Sequence, residues 1–281
     1  VQQATDLLPL NYGAITSDSQ VPEKYRSKGI TAAQYSRVFG DNTRNRMSAA
    51  IAEAVRAQAT LLAASPAYSD GTSYTWEHAA AQMAVVLNRL GSNPVGEIDP
   101  TGLTWYTNTS DITDMQSGIN PKEILWRGGR DENLSLEEDH FPPSLFGKGR
   151  LNPSQNLVDA FPMANGYPIG HALSDYNPNN PYADRDPRLA TYIVYNGSKA
   201  GNQNTEIITA VDGTNNDALG RAETSTRTGY YMKKHLRKDV NANPSSQVKQ
   251  YHYKSFIRFT EIFLGYAEAA NEAWGPTGTG G

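Results

Sequence analysis

Helical periodicity occupies the two ends of this 281-residue chain and is lost between Ser92 and Thr228, where proline, glycine and asparagine interrupt the sequence every few residues. Such a chain reads as a helical scaffold carrying a long irregular excursion. From Thr43 to Ala64 the apolar positions are Met47, Ile51, Ala54, Leu61 and Leu62, with eight alanines between Ala49 and Ala64. Alanine at that density favours helix and lets another helix approach closely. Ser65-Pro66 ends the segment. Thr75 can cap a second helix, whose Trp76, Ala80, Met83, Leu87 and Leu90 fall on one face before Gly91 stops it. Two antiparallel helices joined by a short Tyr/Ser/Gly loop make a hairpin of the tetratricopeptide kind, although the full repeat of roughly 34 residues is not visible.

At the other end, Lys254 to Pro276 reads as one helix. Ile262, Tyr266, Ala269 and Ala273 share a face, widened by Phe259 and Phe263, and a second row holds Arg258, Glu261, Glu268, Asn271 and Glu272. Gly275-Pro276 is a helix stop. Arg258 and Glu261, one turn apart, are expected to form an ion pair. Val1 to Pro9 reads as the frayed end of a helix, and Arg26 to Asn42 as loop. Pro121 to Trp126 reads as a short strand entering a long loop, and Asn152 to Ile169 as a capped short helix followed by an Asn165-Gly166 turn. Ala190 to Tyr195 and Gly229 to Leu236 have the β-branched and aromatic content of strands.

Composition narrows the function. Hydrophobic residues make up 38% and charged residues 19%, and the remainder is rich in loop-forming, hydrogen-bonding types. A net charge of −4 with no basic run gives no electrostatic footprint for nucleic acid. The absence of cysteine removes disulfides, thiolate metal sites and thiol nucleophiles, and also a lipid-bearing Cys. No apolar run of roughly 18 residues and no leader pattern is present.

Five elements, taken in order from about residue 48 to residue 272, resemble the SusD/RagB family of outer-membrane glycan-binding lipoproteins of Bacteroidetes. They are Ala63-Ala64-Ser65-Pro66 followed by Trp76-Glu77-x-Ala79-Ala80; the P-S-Q-x-L-V-D-A-F-P-x-x-N-G run from Pro153 to Gly166; Asp186-Pro187-Arg188-Leu189; the G-Y-Y-x-x-K string from Gly229 to Lys234; and the helix with Arg258, Glu261, Tyr266, Ala267, Glu268, Ala269, Asn271 and Glu272. The resemblance implies a mainly α fold, with tetratricopeptide-like helical hairpins, a large irregular loop-rich insertion and a few short β-strands. The helical scaffold is then 1–91, the ligand-facing excursion 92–228, and the strand with its helix 229–281. It implies a single domain that is incomplete, since the family has helices ahead of the first element and an R-A-R-A-G helix after the last. Its signal and anchoring Cys are expected upstream of Val1. The implied function is capture of an oligosaccharide or polysaccharide at the cell surface and its delivery to a SusC-like TonB-dependent transporter, with no cofactor and no chemical step.

A glycan site needs aromatic faces for the C–H faces of sugar rings and polar side chains for their hydroxyls, held on loops. Trp76 and Trp274 lie on helical stripes and are expected in the core. Trp105 and Tyr106 stand in an aperiodic, turn-rich stretch that either contacts ligand or packs as a satellite cluster. Trp126 ends the expected strand and faces either core or site. The resemblance makes the following loop part of the glycan surface, which adds Arg127, Arg130, His140 and Phe141. Glu137, Glu138 and Asp139 read as a solvated acidic loop rather than a catalytic pair. Asp175, Asp184 and Asp186 carry calcium-type oxygens without a D-x-D-x-D-G loop, so turn and capping roles are expected. Two other functions share these features: a glycoside hydrolase, with two carboxylates about 5 to 10 Å apart, and a peptide- or protein-binding helical scaffold.

Overall fold

A computed structural model of the chain describes residues 1–43, 46–107, 112–113 and 120–278, with the backbone alone for Glu97, Trp105 and Thr107. The described elements, in chain order, are α1 (Gln2–Leu7), α2 (Glu23–Arg26), α3 (Ala32–Phe39), α4 (Ala49–Ala64), α5 (Trp76–Asn88), β1 (Ile124–Asn133), α6 (Ser135–His140), α7 (Gln155–Ala160), α8 (Pro187–Tyr192), β2 (Ile193–Val194), β3 (Ser198–Ala200), β4 (Thr205–Ile207), β5 (Tyr231–Met232), β6 (Gln250–Arg258) and α9 (Phe259–Trp274). Strand pairs are β1 with β6, β2 with β5 and β3 with β4. The architecture is mainly helical with a few short strands. Two compact units divide it: Val1–Gly102, Thr109–Arg130 and Tyr253–Gly281 form the first, and Leu103–Asn108 and Asp131–His252 the second.

In the first unit, α4 begins where the Ser48 hydroxyl accepts from the Ile51 amide, and α5 where Thr75 and His78 cap each other reciprocally. The two helices run antiparallel. Glu53 near the start of α4 pairs with Arg89 just after α5, while at the opposite end Ala64 packs with Ala79 and Ala80. α9 joins them: Met83, Ala54, Ala57 and Ile262 are buried together, and Ala269 closes against Ala79 and Ala80. Small residues set this spacing. A Cβ on Gly265 of α9 would lie 2.7 Å from the Met83 Cε, inside contact distance.

The sequence reading of this unit is corrected at several points. Arg26 to Asn42 contains a helix, α3, started by a Thr31/Gln34 capping box and buried through Tyr35, whose ring packs against Tyr25 and Phe39. The segment expected to be helical from Lys254 is strand as far as Arg258, because Gln250–Arg258 pairs with β1. Arg258 therefore does not face Glu261. It pairs with Glu123, while Glu261 accepts from Gln58.

Glu123 is the tie point of that junction. Its Oε1 takes the Arg258 Nε at 3.0 Å and the Thr260 hydroxyl, its Oε2 takes the Asp99 amide at 2.9 Å, and its carbonyl takes the Phe259 amide at 2.9 Å. These bonds hold a non-glycine residue at φ 75°, a left-handed conformation that costs of order 1 kcal/mol.

The second unit holds less regular structure, and buried polar side chains bond its loops directly. Arg185 donates to the carbonyls of Pro181, Val158 and Phe161. The Thr226 hydroxyl accepts from the amides of Thr228, Gly229 and Tyr230. Arg237 is fully buried, bonded to Asp239 through two nitrogens and to the Tyr251 carbonyl. Apolar contacts are split into small clusters around Phe141, Val158 and Tyr231.

Here too the reading is corrected. Pro187 to Tyr192 is helix, since Asp186 caps it and Pro187 occupies its first turn, leaving only Ile193–Val194 as strand. The Arg188 guanidinium beside Asp186 also holds that carboxyl below its usual range. Within Gly229 to Leu236 only Tyr231–Met232 is strand. Glu137 to Asp139 is not a solvated loop. It lies in α6, and Glu137 is fully buried, accepting from the Arg237 amide at 2.7 Å with His252 Nε2 3.0 Å away.

Replacing Glu123 by alanine removes the buried carboxylate that takes the Arg258 guanidinium, the Thr260 hydroxyl and the Asp99 amide. Urea unfolding of Glu123→Ala is expected to show a loss of about 3 kcal/mol, against less than about 1 kcal/mol for Glu23→Ala at the exposed Arg26 pair.

Candidate functional site

A cleft of about 360 Å³ opens in the second unit, near the lower end of the range of roughly 300–1,000 Å³ usual for small-ligand sites. Phe141, Val194, Ala200 and Leu236 give it a buried apolar floor. Phe141 is there because α6 ends at His140 and the chain turns at Pro142 into a 3-10 turn. Val194 comes from β2, which the β2–β5 ladder aligns through Val194 and Tyr231. Gly201 carries the chain out of β3 at φ 70°, a left-handed conformation that glycine adopts without strain.

The upper wall is polar and aromatic. Tyr106, in the 3-10 segment Gly102–Thr107, places its ring 4.9 Å from the His235 ring, and burial pushes its phenol up to about 12. Thr104, Thr191 and Asn204 add hydroxyl and amide groups. Lys199, Lys233 and Lys238 also line the cleft. Lys233 donates to the Ala190 carbonyl at 2.8 Å, and its ammonium is pushed below the ordinary lysine value by burial and then by the Lys238 charge. The amides of Lys233 and Lys234 both bond the Tyr192 carbonyl at the end of α8, which fixes this segment. The neighbouring Lys234 turns the other way, with its ammonium over the Tyr192 ring. A second depression of about 140 Å³ shares Phe141 and Gly201 with the cleft and is edged by Asn202, Gln203, Asn241 and Asn243.

The structure brings Tyr106 and Phe141 together on the cleft. The Trp105 side chain lies outside the described residues; its backbone runs between two cleft residues, Thr104 and Tyr106. His140 ends α6, half-buried, with a buried Nδ1 that makes no hydrogen bond among the described residues. Trp126, Arg127 and Arg130 belong to the first unit. They stand on β1, which runs straight through the expected Arg127-Gly128-Gly129-Arg130 loop. Trp126 packs against Phe256 at 4.7 Å on the edge of the helical core, Arg127 is buried with its charge disfavoured by desolvation, and Arg130 bonds the Ile112 and Thr113 carbonyls.

The lysines, Thr191 and Asn204 were not legible in the sequence. They are single residues spread from position 191 to 238, and only the Lys233-Lys234 pair gave any local signal. A hollow of about 490 Å³ in the first unit, beside Val1, Gln2, Tyr74 and His78, contains none of the residues expected to bind. No group of three or more His, Asp or Glu among the described residues is placed to hold a metal ion. Asp175 and Asp184 take left-handed turn positions and Asp186 caps α8.

The cleft thus offers a ring, an apolar floor and hydrogen-bonding groups, with no Asp or Glu among its described lining. Such a combination has the chemistry a polyhydroxylated ring requires, carbon surface for C–H faces and polar groups for hydroxyls.

No curated protein sequence matches this chain. Among solved structures, a SusD-like carbohydrate binding protein from Bacteroides fragilis is similar in fold, at 20% identity and a TM-score of 0.60, over 97% of this chain and 44% of its own. A second SusD-like protein from the same organism is also 20% identical, with a TM-score of 0.59 over 99% of this chain and 48% of its own. The chain spans less than half the length of either. The sequence pattern of the SusD family matches residues 111–279, more than half of the chain. The chain belongs to the SusD family.

Proposed function

We propose that this chain captures oligosaccharide at the cell surface and delivers it to a SusC-like TonB-dependent transporter in the outer membrane, as part of a lipid-anchored protein. The observation that carries the reading is the cleft of the second unit, whose aromatic ring, apolar floor and hydroxyl- and amide-bearing rim suit a sugar ring. Membership of the SusD family supports it, as does the likeness in fold to a carbohydrate binding protein. The helical hairpin of α4 and α5, packed on α9, is the tetratricopeptide-like scaffold of this reading. The amide-edged depression beside the cleft offers a second place for hydroxyls, which fits a ligand of more than one sugar unit. Capture and release need no bond to be made or broken. No described helix is long and apolar enough to cross a membrane.

Affinity electrophoresis in gels containing different polysaccharides tests the binding. Retardation in at least one gel is expected, and none across a broad panel overturns the reading. Tyr106→Ala is expected to weaken retention about five- to ten-fold, the loss of one stacking face. Phe141→Ala is expected instead to lower stability by about 3 kcal/mol in thermal or urea unfolding, because its ring is buried in the cluster with Leu134, Leu236 and Val240. Purified protein is expected to release no reducing sugar; release abolished by a single Glu→Gln change establishes a hydrolase. Co-purification from membranes with a TonB-dependent transporter checks the partner.

A further inference from the structure

The cleft is positively charged inside a protein that is not. The chain carries a net charge of −4, so it has no general attraction for anions. Yet Lys199, Lys233 and Lys238 all line the cleft, which has no acidic residue in its described lining. None of these ammonium groups forms an ion pair with a carboxylate among the described residues. Of the acids close to cleft residues in the chain, Asp239 pairs with Arg237, and Asp139 with Lys148 and Arg150. Lys199 faces Glu206 directly across the β3–β4 ladder, which offsets part of its charge, so Lys233 and Lys238 carry the argument.

Lys233 is the informative one. It is half-buried, held by one neutral acceptor, the Ala190 carbonyl, and it shares the cleft with a second cation. A desolvated cation without a counter-charge is unfavourable, and burial together with the Lys238 charge already pushes its ammonium below the ordinary value. Concave walls of low dielectric concentrate such a field on whatever enters. An anion in the cleft would supply the counter-charge.

Building on the glycan-binding reading, we infer that the cleft binds the charged group of an acidic oligosaccharide, a uronate carboxylate or a sulfate, against Lys233 and Lys238. Tyr106 and the apolar floor take the sugar carbon face, and the two ammonium groups select the acid.

An array of neutral, uronate-containing and sulfated oligosaccharides, followed by calorimetric titration, tests this. The best acidic ligand is compared with its own carboxyl-reduced or desulfated form, which removes the charge and keeps the sugar. The acidic form is expected to bind at least about ten-fold more tightly, the value of one charge-assisted hydrogen bond, and to lose that preference as salt rises from about 50 to 500 mM. Lys233→Met, which keeps the aliphatic stem, and Lys238→Gln, at an exposed position that does not threaten folding, are each expected to reduce the ratio of acidic to neutral affinity; Lys238→Arg restores it. The carboxylate and sulfate arms show which acid is read. Tight binding of neutral sugars with no acidic preference, or an unchanged ratio in both lysine variants, overturns the inference and leaves glycan capture standing. Binding to no member of the array overturns both.

Discussion

Arg237 is a guanidinium with no exposed surface, in a unit whose strands are two or three residues long except at β1 and β6. Its side chain holds Asp239 and the Tyr251 carbonyl, while its own amide is held by Glu137, an equally buried carboxylate that also meets His252. Residues more than a hundred positions apart are thereby joined at one point. A loop-rich fold has to satisfy its backbone groups without long ladders, and here charged side chains meet that requirement. Such a network is a weak source of net stability, because each ion must leave water. Its role here is to tie together segments distant in the chain, around residues 137, 237 and 252.

The first unit is built on a different economy of contacts. Alanine and glycine on α4, α5 and α9 bring backbones together, and a few large residues such as Met83 and Ile262 fill what remains. Glu123 does for this unit what Glu137 does for the other, fixing the place where β6 becomes α9. In both, a carboxylate in α6 or just ahead of β1 is shielded from water and accepts from a backbone amide.

Much of the helical part was legible because its signals are local. Thr75, Ser65-Pro66 and Gly275 mark helix ends within a few residues, and the alanine run needs no distant partner to be read. Arg258 shows the limit: the same residues fit a helical i, i+3 pair, and only pairing of β6 with a strand more than a hundred residues away decides for strand. Glu137 shows another, since an acidic tripeptide before a histidine looks solvated until Arg237 arrives. The cleft was legible only in Tyr106 and Phe141, whose aromatic character stands out. Lys233 and Lys238 resemble any surface lysine in the sequence, and it is the fold that gathers them.

The cleft wall draws on segments near residues 104, 141, 190, 200 and 235, and the ladders between them are short. A molecule touching several of these segments acts as a removable cross-link. Its binding and the ordering of the unit are therefore one linked equilibrium, and an occupant at about a hundred times its dissociation constant adds about 2.7 kcal/mol to the ordered state. The converse concerns changes far from any ligand. A change that lowers the fraction of molecules with a formed cleft lowers affinity by that fraction, even with every contact to the occupant intact.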